Sequence, residues 1–443
     1  MARSTMHKLN TRVQTRTWLA LTPALILALI TIGLTMNAGA QAQQQTSPSR
    51  FTQDDFAIGF WVDPPVDEDV DARYAEIAGA HFNLVLALFG ANTAEKQVQV
   101  LELCEKYGLK AVISHLNLPP EQLAEGPALW GYSLRDEPSV EDFPGLRQRV
   151  DALRAARPGQ LAYINLFPGY ASPGQQLGAE TYDEYVRRFM EVVDVDVLSM
   201  DHYPRFGPDV DGRDGYCADL AVMRKYALEY DVPFWNFFNI MPYGPHTDPT
   251  EAQLRWQVYA SLSYGARGIL YFCYFTPPGA EFPKGGAIIR RDGTRTRHYD
   301  QARRINAAIQ NLGPTLMQLT SVGVYRLGPQ DDAASVLADT PIRAITRADV
   351  DPPNDYLIGV FEHADGRRAV LLQNYRFAYS AWPTVEFDIS PDDIVELDQA
   401  TGRELPVRDD SPDMDGLQIS LDAGEGRLFL LPALVRTGSE KPR

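Results

Sequence analysis

The chain contains little cysteine and less positive than negative charge. Its three cysteines, Cys104, Cys217 and Cys273, are too few for a disulfide framework. Cys104 and Cys273 fall in apolar patterns typical of a core, and one disulfide with Cys217 stays possible. The 58 acidic residues outnumber the 41 Lys and Arg and give a net charge of −17. This balance argues against nucleic acid or an anionic membrane as partner, since both need clustered basic residues.

Several catalytic and cofactor motifs are also missing from the sequence. No glycine-rich phosphate loop follows a predicted strand, and neither Gly-x-Ser-x-Gly nor His-Glu-x-x-His occurs. The Cys and His spacing matches no zinc site, and only His115 and His202 fall at predicted strand ends. We therefore expect no cofactor and no metal, and the acidic balance favours a neutral substrate.

A long apolar run lies near the N-terminus, at residues 18–36. Four basic residues precede it, and small residues follow it at 38–42. This pattern predicts a secretory signal peptide over residues 1–42, with an uncleaved membrane anchor as the alternative. Residues 43–53 read as a disordered lead-in. We expect a secreted or periplasmic protein that has no membrane partner once the signal is cleaved.

Short apolar runs alternate with amphipathic segments from Phe56 to Leu319. The apolar runs lie at 57–62, 83–89, 110–113, 128–135, 161–166, 197–200, 233–240 and 268–275. Such alternation indicates an α/β fold with a parallel sheet, and eight units are the number that closes a (β/α)8 TIM barrel. We predict this barrel over residues 54–321.

After Val322 the alternation of apolar runs and amphipathic segments gives way to strand-like runs alone. Strand-like runs at 344–346, 356–362, 369–375, 384–388 and 427–431 are separated by polar segments. Asp365-Gly366 between two of these runs reads as a hairpin turn. Residues 322–436 are therefore predicted to form a C-terminal all-β sandwich domain.

The fourth predicted strand ends in two adjacent carboxylates. Its apolar residues run directly into Asp136 and Glu137, and Pro138 then stops the strand. In a parallel barrel, catalytic groups lie where strands end and loops begin. Asp136 and Glu137 are therefore expected at the mouth of the barrel. The alternative is that Asp136 caps the following helix and Glu137 is merely solvated.

Polar and aromatic residues collect at the other predicted strand ends as well. Carboxylates and amides suit sugar hydroxyls, and flat rings suit the apolar C–H faces of sugars. Each ring taken alone is more often a core residue. The candidate substrate-binding residues are Asp63, Trp61, His115, Asp136, Asn165, His202, Tyr203, Trp235, Asn239 and Tyr274.

Two carboxyl groups generally cleave a glycosidic bond, one as acid and the other as nucleophile or base. Glu137 is the predicted general acid, because it directly follows the strand. Asp201 is the predicted second carboxylate, with Asp63 and Glu281 as the next candidates. The alternative for residues 201–204 is a hydrogen-bonded loop anchor.

The barrel resembles the clan A glycoside hydrolases, which are retaining enzymes with an eightfold barrel. Residues 130–138 match the strand-four Asn-Glu-Pro pattern of that clan, with Asp136 in place of Asn. Residues 264–272 look like the passage into its eighth strand. Residues 421–429 resemble the end of the β domains of β-galactosidase-like relatives. The resemblance implies that Glu137 is the acid/base.

The seventh predicted strand departs from this resemblance. The clan carries its nucleophile there as Glu, whereas this chain offers Asn236 and Asn239. The nearest acids, Asp248 and Glu251, fall closer to the next helix. Three explanations follow: another carboxylate serves as the nucleophile, the enzyme inverts the anomeric configuration, or the barrel binds glycan without hydrolysis.

The leading expectation is a secreted glycoside hydrolase that cleaves O-glycosidic bonds of a neutral oligo- or polysaccharide. A glycan-binding protein on a barrel that has lost hydrolysis is the alternative. A polysaccharide lyase ranks last, because it needs an Arg or Lys to neutralise an acidic sugar. Few basic residues lie at the predicted mouth, and the nearest are Arg135 and Arg205. No pattern specifies an oligomeric state.

Overall fold

The computed structural model describes residues 49–207, 209–279, 282–284, 286–347, 354–413 and 415–433. The predicted signal peptide, most of the predicted lead-in and Glu281 lie outside these ranges. Among the helices of the described residues, none has the length and apolar character needed to cross a membrane.

Eight parallel strands form one sheet in which each strand follows its predecessor around a circle. They are β1 (Ala57–Phe60), β2 (Leu84–Ala87), β3 (Lys110–Ser114), β4 (Leu129–Asp136), β5 (Leu161–Leu166), β6 (Leu198–Asp201), β7 (Phe234–Asn239) and β8 (Gly268–Phe272). β1 pairs with β8, with Ala57 opposite Gly268. β1 and β2 meet where the circle closes. There the side chain of Asn83 bonds to the backbone of β1: its Oδ1 accepts from the Ile58 N–H at 2.7 Å, and its Nδ2 donates to Phe56 O at 2.8 Å. The sheet is therefore the nearly closed barrel that the alternation predicts.

The helices surround this sheet. They are α1 (Val70–Gly79), α2 (Ala94–Tyr107), α3 (Phe143–Ala156), α4 (Tyr182–Val193), α5 (Arg213–Glu229), α6 (Glu251–Ser263) and α7 (Arg297–Leu316). Only the 3-10 turn Pro120–Gln122 lies between β3 and β4. A capping box of Thr250 and Gln253 begins α6, since each side chain accepts a backbone N–H of the other residue.

The N-terminal lead-in differs from its sequence-based expectation. Residues 50–53 pack against the barrel instead of trailing from it. Arg50 pairs with Asp194 at 2.9 Å and Asp196 at 2.6 Å, and Gln53 Oε1 accepts from Trp235 Nε1 at 2.9 Å. The reason is burial: Trp235 fills the barrel interior, and its indole N–H needs an acceptor there.

Two glycines allow close packing inside the barrel. A Cβ on Gly131 of β4 would lie 2.1 Å from the carbonyl oxygen of Leu161 on β5. A Cβ on Gly268 of β8 would lie 2.4 Å from Trp235 Cδ1. The absence of a side chain at Gly131 therefore permits the spacing of β4 and β5, and its absence at Gly268 makes room for the Trp235 ring.

We expect Gly131→Ala to destabilise the fold by about 1–3 kcal/mol, the usual cost of overpacking. The added methyl group meets rigid backbone of the neighbouring strand, so β4 and β5 must separate. Gly145→Ala is the matched control, because a Cβ there meets nothing within 4 Å on the first turn of α3. Urea unfolding of both variants measures the difference. Equal stability of the two would show that the strands absorb the methyl group.

The C-terminal residues form antiparallel sheets. Strands β9 (Leu319–Leu327), β11 (Tyr356–His363), β12 (Arg368–Asn374), β17 (Gly426–Leu431), β14 (Val395–Leu397) and β15 (Glu404–Pro406) form one sheet in this spatial order. Strands β10 (Ile342–Arg347), β13 (Pro383–Phe387) and β16 (Leu417–Gln418) form a second sheet, and the short helix α8 (Ala333–Leu337) follows β9. One apolar cluster includes side chains of both sheets. The five predicted runs correspond to β10, β11, β12, β13 and β17, whereas β9 crosses the predicted boundary at 321/322.

Helix α6 joins the barrel to these sheets. Trp256 lies edge-to-face with Tyr375 at 5.3 Å, and Gln373 Nε2 donates to Trp256 O at 3.0 Å. All three cysteines are free, so no disulfide involves Cys217. Cys104 and Cys273 are buried, as their apolar patterns predict.

Candidate active site

A cavity of about 330 Å³ opens at the C-terminal ends of the barrel strands. Carboxyl, amide and aromatic side chains share its wall. The lining residues are Trp61, Asp136, Glu137, Asn165, Phe167, Pro168, Tyr170, Ala171, Gln176, Asp201, Tyr203, Phe237, Tyr243, Phe272 and Phe282. All of them belong to barrel strands or to the loops that follow them.

Two strand ends bring the carboxyl groups together. Asp136 and Asp201 are the last residues of β4 and β6, and Glu137 directly follows β4. The Glu137 N–H donates to Asn165 O on β5 at 2.8 Å. Glu137 has a φ of 47°, in the left-handed region that only a few per cent of non-glycine residues adopt. The turn at Glu137 is thus held by the neighbouring strand.

Asn165 links two of these carboxyl groups. Its Nδ2 donates to Asp136 Oδ1 at 3.3 Å and to Asp201 Oδ1 at 3.1 Å. Its Oδ1 accepts from Ser199 Oγ at 3.0 Å, and the Ser199 hydroxyl also contacts Tyr163 OH at 2.9 Å. The Ser199 hydroxyl therefore fixes the amide in the orientation that turns its N–H groups toward the carboxylates.

Burial and mutual repulsion raise the pKa values of these carboxyls. Burial, followed by the nearby Asp136, raises the pKa of Glu137 to about 7. Burial raises the pKa of Asp201 well above its usual range, and Glu137 and Asp136 add to this, while hydrogen bonds from Tyr203 and Asn165 oppose it. Burial also raises the pKa of Asp136. Ionisation of Glu137 therefore opposes ionisation of Asp201, as in other close carboxyl pairs.

Aromatic rings form the rest of the wall. Trp61 lies edge-to-face with Phe237 of β7 at 5.7 Å, and Phe272 of β8 packs on Tyr203 at 4.8 Å. Tyr243, from the loop after β7, lies 5.1 Å from Phe272. Polar groups with fixed orientations inside an aromatic wall are typical of sites for small ligands.

Of the sequence-predicted site residues, six line this cavity: Glu137, Asp201, Trp61, Asp136, Asn165 and Tyr203. Sequence reasoning missed Phe237 and Phe272 on the strands, and it missed four residues of the loops: Tyr170, Gln176, Tyr243 and Phe282. These four lie in loops after β5, β7 and β8, where no strand pattern marks a direction. A tyrosine beside proline or glycine after a strand is the only signal that the sequence offers for Tyr170 and Tyr243.

Two predicted polar residues serve the loops instead. The Asp63 carboxylate accepts the backbone N–H groups of residues 88–91 at 2.7–3.3 Å. Asn239 Oδ1 accepts the Met241 N–H at 3.0 Å, and its backbone bonds to Gln257 of α6. Asp63 therefore stabilises the loop after β2, and Asn239 stabilises the chain reversal after its own strand, β7.

Two predicted aromatic residues lie in the core. Trp235 packs between Trp130 and Tyr163 in the barrel interior, at 6.1 and 5.8 Å. Tyr274 stacks on Phe60 at 4.6 Å, and its hydroxyl donates to Glu76 of α1 at 3.4 Å. Both rings are fully buried, and neither is among the residues that line the cavity.

The two predicted histidines also lie outside the cavity lining. His202 Nδ1 is 2.6 Å from Asp219 Oδ2, and its ring is edge-to-face with Tyr170 at 5.0 Å. His202 thus supports one wall residue from behind. His115 is half-buried, and burial together with the nearby Arg149 lowers its pKa. Within the described ranges, no group of three or more His, Cys, Asp or Glu is arranged to hold a metal ion.

The seventh strand presents an aromatic ring to the cavity, and neither Asn236 nor Asn239 is part of the cavity lining. Phe237 is the residue of β7 that lines the cavity. Asn236 faces the helices, where its Nδ2 donates to Tyr216 OH at 2.7 Å and Ser261 Oγ at 3.0 Å. Asp248 and Glu251 pair with His298 and Arg304 of α7, at 2.7 and 2.8 Å.

A second cavity, of about 540 Å³, lies between the loop after β8 and the start of α7. Its lining consists mainly of charged side chains, and several of these already form hydrogen bonds or ion pairs within the protein. Arg291 Nε donates to Pro277 O at 2.9 Å, and Arg297 pairs with Asp248 at 2.9 Å. The smaller cavity at the strand ends is therefore the candidate active site.

No protein-family model matches the chain, and no curated protein matches it by sequence. Solved structures do match its fold. A GH42 β-galactosidase from G. stearothermophilus, in a catalytic mutant, aligns over 87% of this chain and 100% of its own, with a TM-score of 0.54 and 10% identity. A β-galactosidase from Bacillus circulans sp. alkalophilus covers 85% of this chain and 99% of its own, with a TM-score of 0.52 and 9% identity.

A glycoside hydrolase family 5 protein from Bacteroides vulgatus covers 88% of this chain and 92% of its own, with a TM-score of 0.50 and 10% identity. The structure thus has the fold of glycoside hydrolases with eightfold barrels. The clan A resemblance of the sequence is confirmed at this level, the level of the fold.

Proposed function

We propose that this protein is a secreted glycoside hydrolase that cleaves O-glycosidic bonds of a neutral oligo- or polysaccharide. The observation that carries the proposal is the Glu137 carboxyl, whose pKa is raised to about 7 in an aromatic cavity shared with Asp201. A carboxyl group that is still protonated near neutral pH is what a general acid requires. The N-terminal sequence pattern supports export.

In this proposal Glu137 gives its proton to the glycosidic oxygen as the bond from that oxygen to the anomeric carbon breaks. Among the described residues none donates a hydrogen bond to the Glu137 carboxyl, so nothing there favours its ionised form. Asp201 accepts an N–H from Asn165, which favours its carboxylate. Asp201 then attacks the anomeric carbon or takes a proton from the attacking water.

Glycan binding without hydrolysis is the second candidate. It is favoured by Phe237, which lines the cavity from the strand where the clan carries its nucleophile. A lyase has less support, since the cavity lining in the described part of the chain contains no Arg or Lys to neutralise an acidic sugar.

A panel of neutral and acidic glycans tests the proposal. The purified protein is incubated with each glycan, and new reducing ends are measured alongside binding by calorimetry. We expect new reducing ends from at least one neutral glycan. Binding without new ends would replace hydrolysis by the glycan-binding function. An unsaturated, ultraviolet-absorbing product from an acidic glycan would establish a lyase.

We expect kcat/KM to fall as the pH rises through about 7, because Glu137 loses the proton it must donate. Asp136→Asn removes part of the repulsion that raises this pKa, so the falling limb should move to lower pH. The measurement is kcat/KM against pH for both proteins. A wild-type profile that stays flat through pH 7 would exclude Glu137 as the acid.

A further inference from the structure

Phe89 presents an aromatic ring to solvent beside the candidate active site. It lies in the loop after β2 and is 48% exposed. Its ring is edge-to-face with Trp61 at 5.5 Å, and Trp61 lines the cavity. Trp61 in turn contacts Phe237 at 5.7 Å. A row of three rings therefore leads from the solvent into the cavity.

The loop that carries Phe89 is held in place by a buried carboxylate. Asp63 Oδ1 accepts the N–H groups of Leu88 at 3.0 Å and Phe89 at 2.7 Å, and Oδ2 accepts those of Gly90 at 3.0 Å and Ala91 at 3.3 Å. Asp63 is only 2% exposed. A buried carboxylate is costly unless it is fully hydrogen-bonded, as it is here. The position of the Phe89 backbone is thus specified by the fold.

A single exposed apolar residue is ordinary on a protein surface. Phe89 differs because it continues the aromatic wall of a cavity. Tyr379 is 63% exposed in the loop between β12 and β13, and it is not among the residues that line the cavity. The two residues therefore give a matched comparison of exposed rings.

The cavity itself is small for an oligosaccharide. Its volume of about 330 Å³ lies near the lower end of the range of ligand sites, which is about 300–1,000 Å³. A chain of several sugars whose scissile bond lies at Glu137 must extend over the rim. The aromatic row provides an apolar surface at that rim.

We propose that Phe89 and Trp61 form a second sugar-binding subsite, at the β1–β2 side of the cavity, which binds an uncharged pyranose ring through its C–H face. This inference rests on the proposed glycosidase function and adds where a second sugar of the substrate chain binds, at the rim of the cavity that holds Glu137. The subsite contributes binding energy that grows with chain length until it is filled.

The test compares Phe89→Ala with Tyr379→Ala on a series of substrates. The series runs from an aryl monoglycoside to oligosaccharides of increasing length that the glycan panel identifies as substrates. We expect Phe89→Ala to lower kcat/KM by about tenfold on the longer chains, on the scale of one lost aromatic contact, and by less on the monoglycoside. Phe89→Tyr should restore the preference for longer chains, and Tyr379→Ala should leave every value unchanged.

Equal losses on every substrate would overturn the subsite, since they indicate a disturbed loop. Unchanged values for Phe89→Ala would overturn it as well. If the wild-type protein cleaves no glycan, the proposed hydrolysis fails separately, and calorimetric titration with the same oligosaccharides tests the subsite. Weaker binding of long chains by Phe89→Ala then supports the subsite, whereas equal binding, or no binding by either protein, rejects it.

Discussion

Glu137→Gln should reduce hydrolysis of a natural glycoside by about 10²–10⁴, the usual contribution of a positioned general acid. The substitution keeps the shape of the side chain but removes the proton that the leaving oxygen needs. A glycoside with an activated aryl leaving group needs less protonation, so its loss should be smaller. The rates on the two substrates, measured side by side, give this difference directly.

Glu141→Gln is the matched control for this prediction. Glu141 lies exposed in the 3-10 turn Val140–Asp142, four residues further along the chain. It should retain wild-type rates on both substrates. If Glu137→Gln loses both activities equally, the residue does not act as the acid at the leaving group.

Asp201→Asn should remove activity on both kinds of substrate, by a factor comparable to that of Glu137→Gln or larger. Whether Asp201 attacks the anomeric carbon or activates water, its role does not depend on the quality of the leaving group. The variant also alters a buried side chain, so unfolding by urea is measured alongside the rates. Near-wild-type rates on either substrate would exclude Asp201 as the second carboxylate.

Asp214→Asn is the matched control, because it removes one acid from the exposed first turn of α5.

The configuration of the first product, read by proton NMR, separates the two roles of Asp201. A retained anomer indicates attack by a carboxylate, and an inverted anomer indicates activation of water. Because β7 contributes Phe237 to the cavity, a retained anomer would also indicate that the attacking carboxylate comes from another strand.

The elements of the barrel could be predicted because their signals are local. The apolar run of β4 ends at Asp136, and the sequence alone places two carboxyls at the end of that strand. β5 was predicted with the bounds that the structure has, Leu161–Leu166. Alternating apolar runs and helix caps specify where strands and helices begin and end, because they depend on neighbouring residues only.

The direction of each polar side chain could not be read in the same way. Asp63 and Asp201 both follow apolar runs. The Asp63 carboxylate nevertheless accepts hydrogen bonds from four backbone N–H groups, whereas Asp201 lines the cavity. Trp235 and Phe237 lie two residues apart on β7, but only Phe237 reaches the cavity. The depth of a residue inside a barrel depends on the stagger between strands, which one strand cannot reveal.

The sequence by itself thus determined the class of fold, the order and approximate positions of the barrel strands, and the adjacent carboxyls of Asp136 and Glu137 at the end of β4. The tertiary structure decided which of the other polar groups join them. It brought Asn165 of β5 between two carboxyls and placed Tyr170 and Tyr243 in the wall from separate loops. The physical reason is that these contacts join residues far apart in the chain, and only the closure of the sheet sets the distances between them.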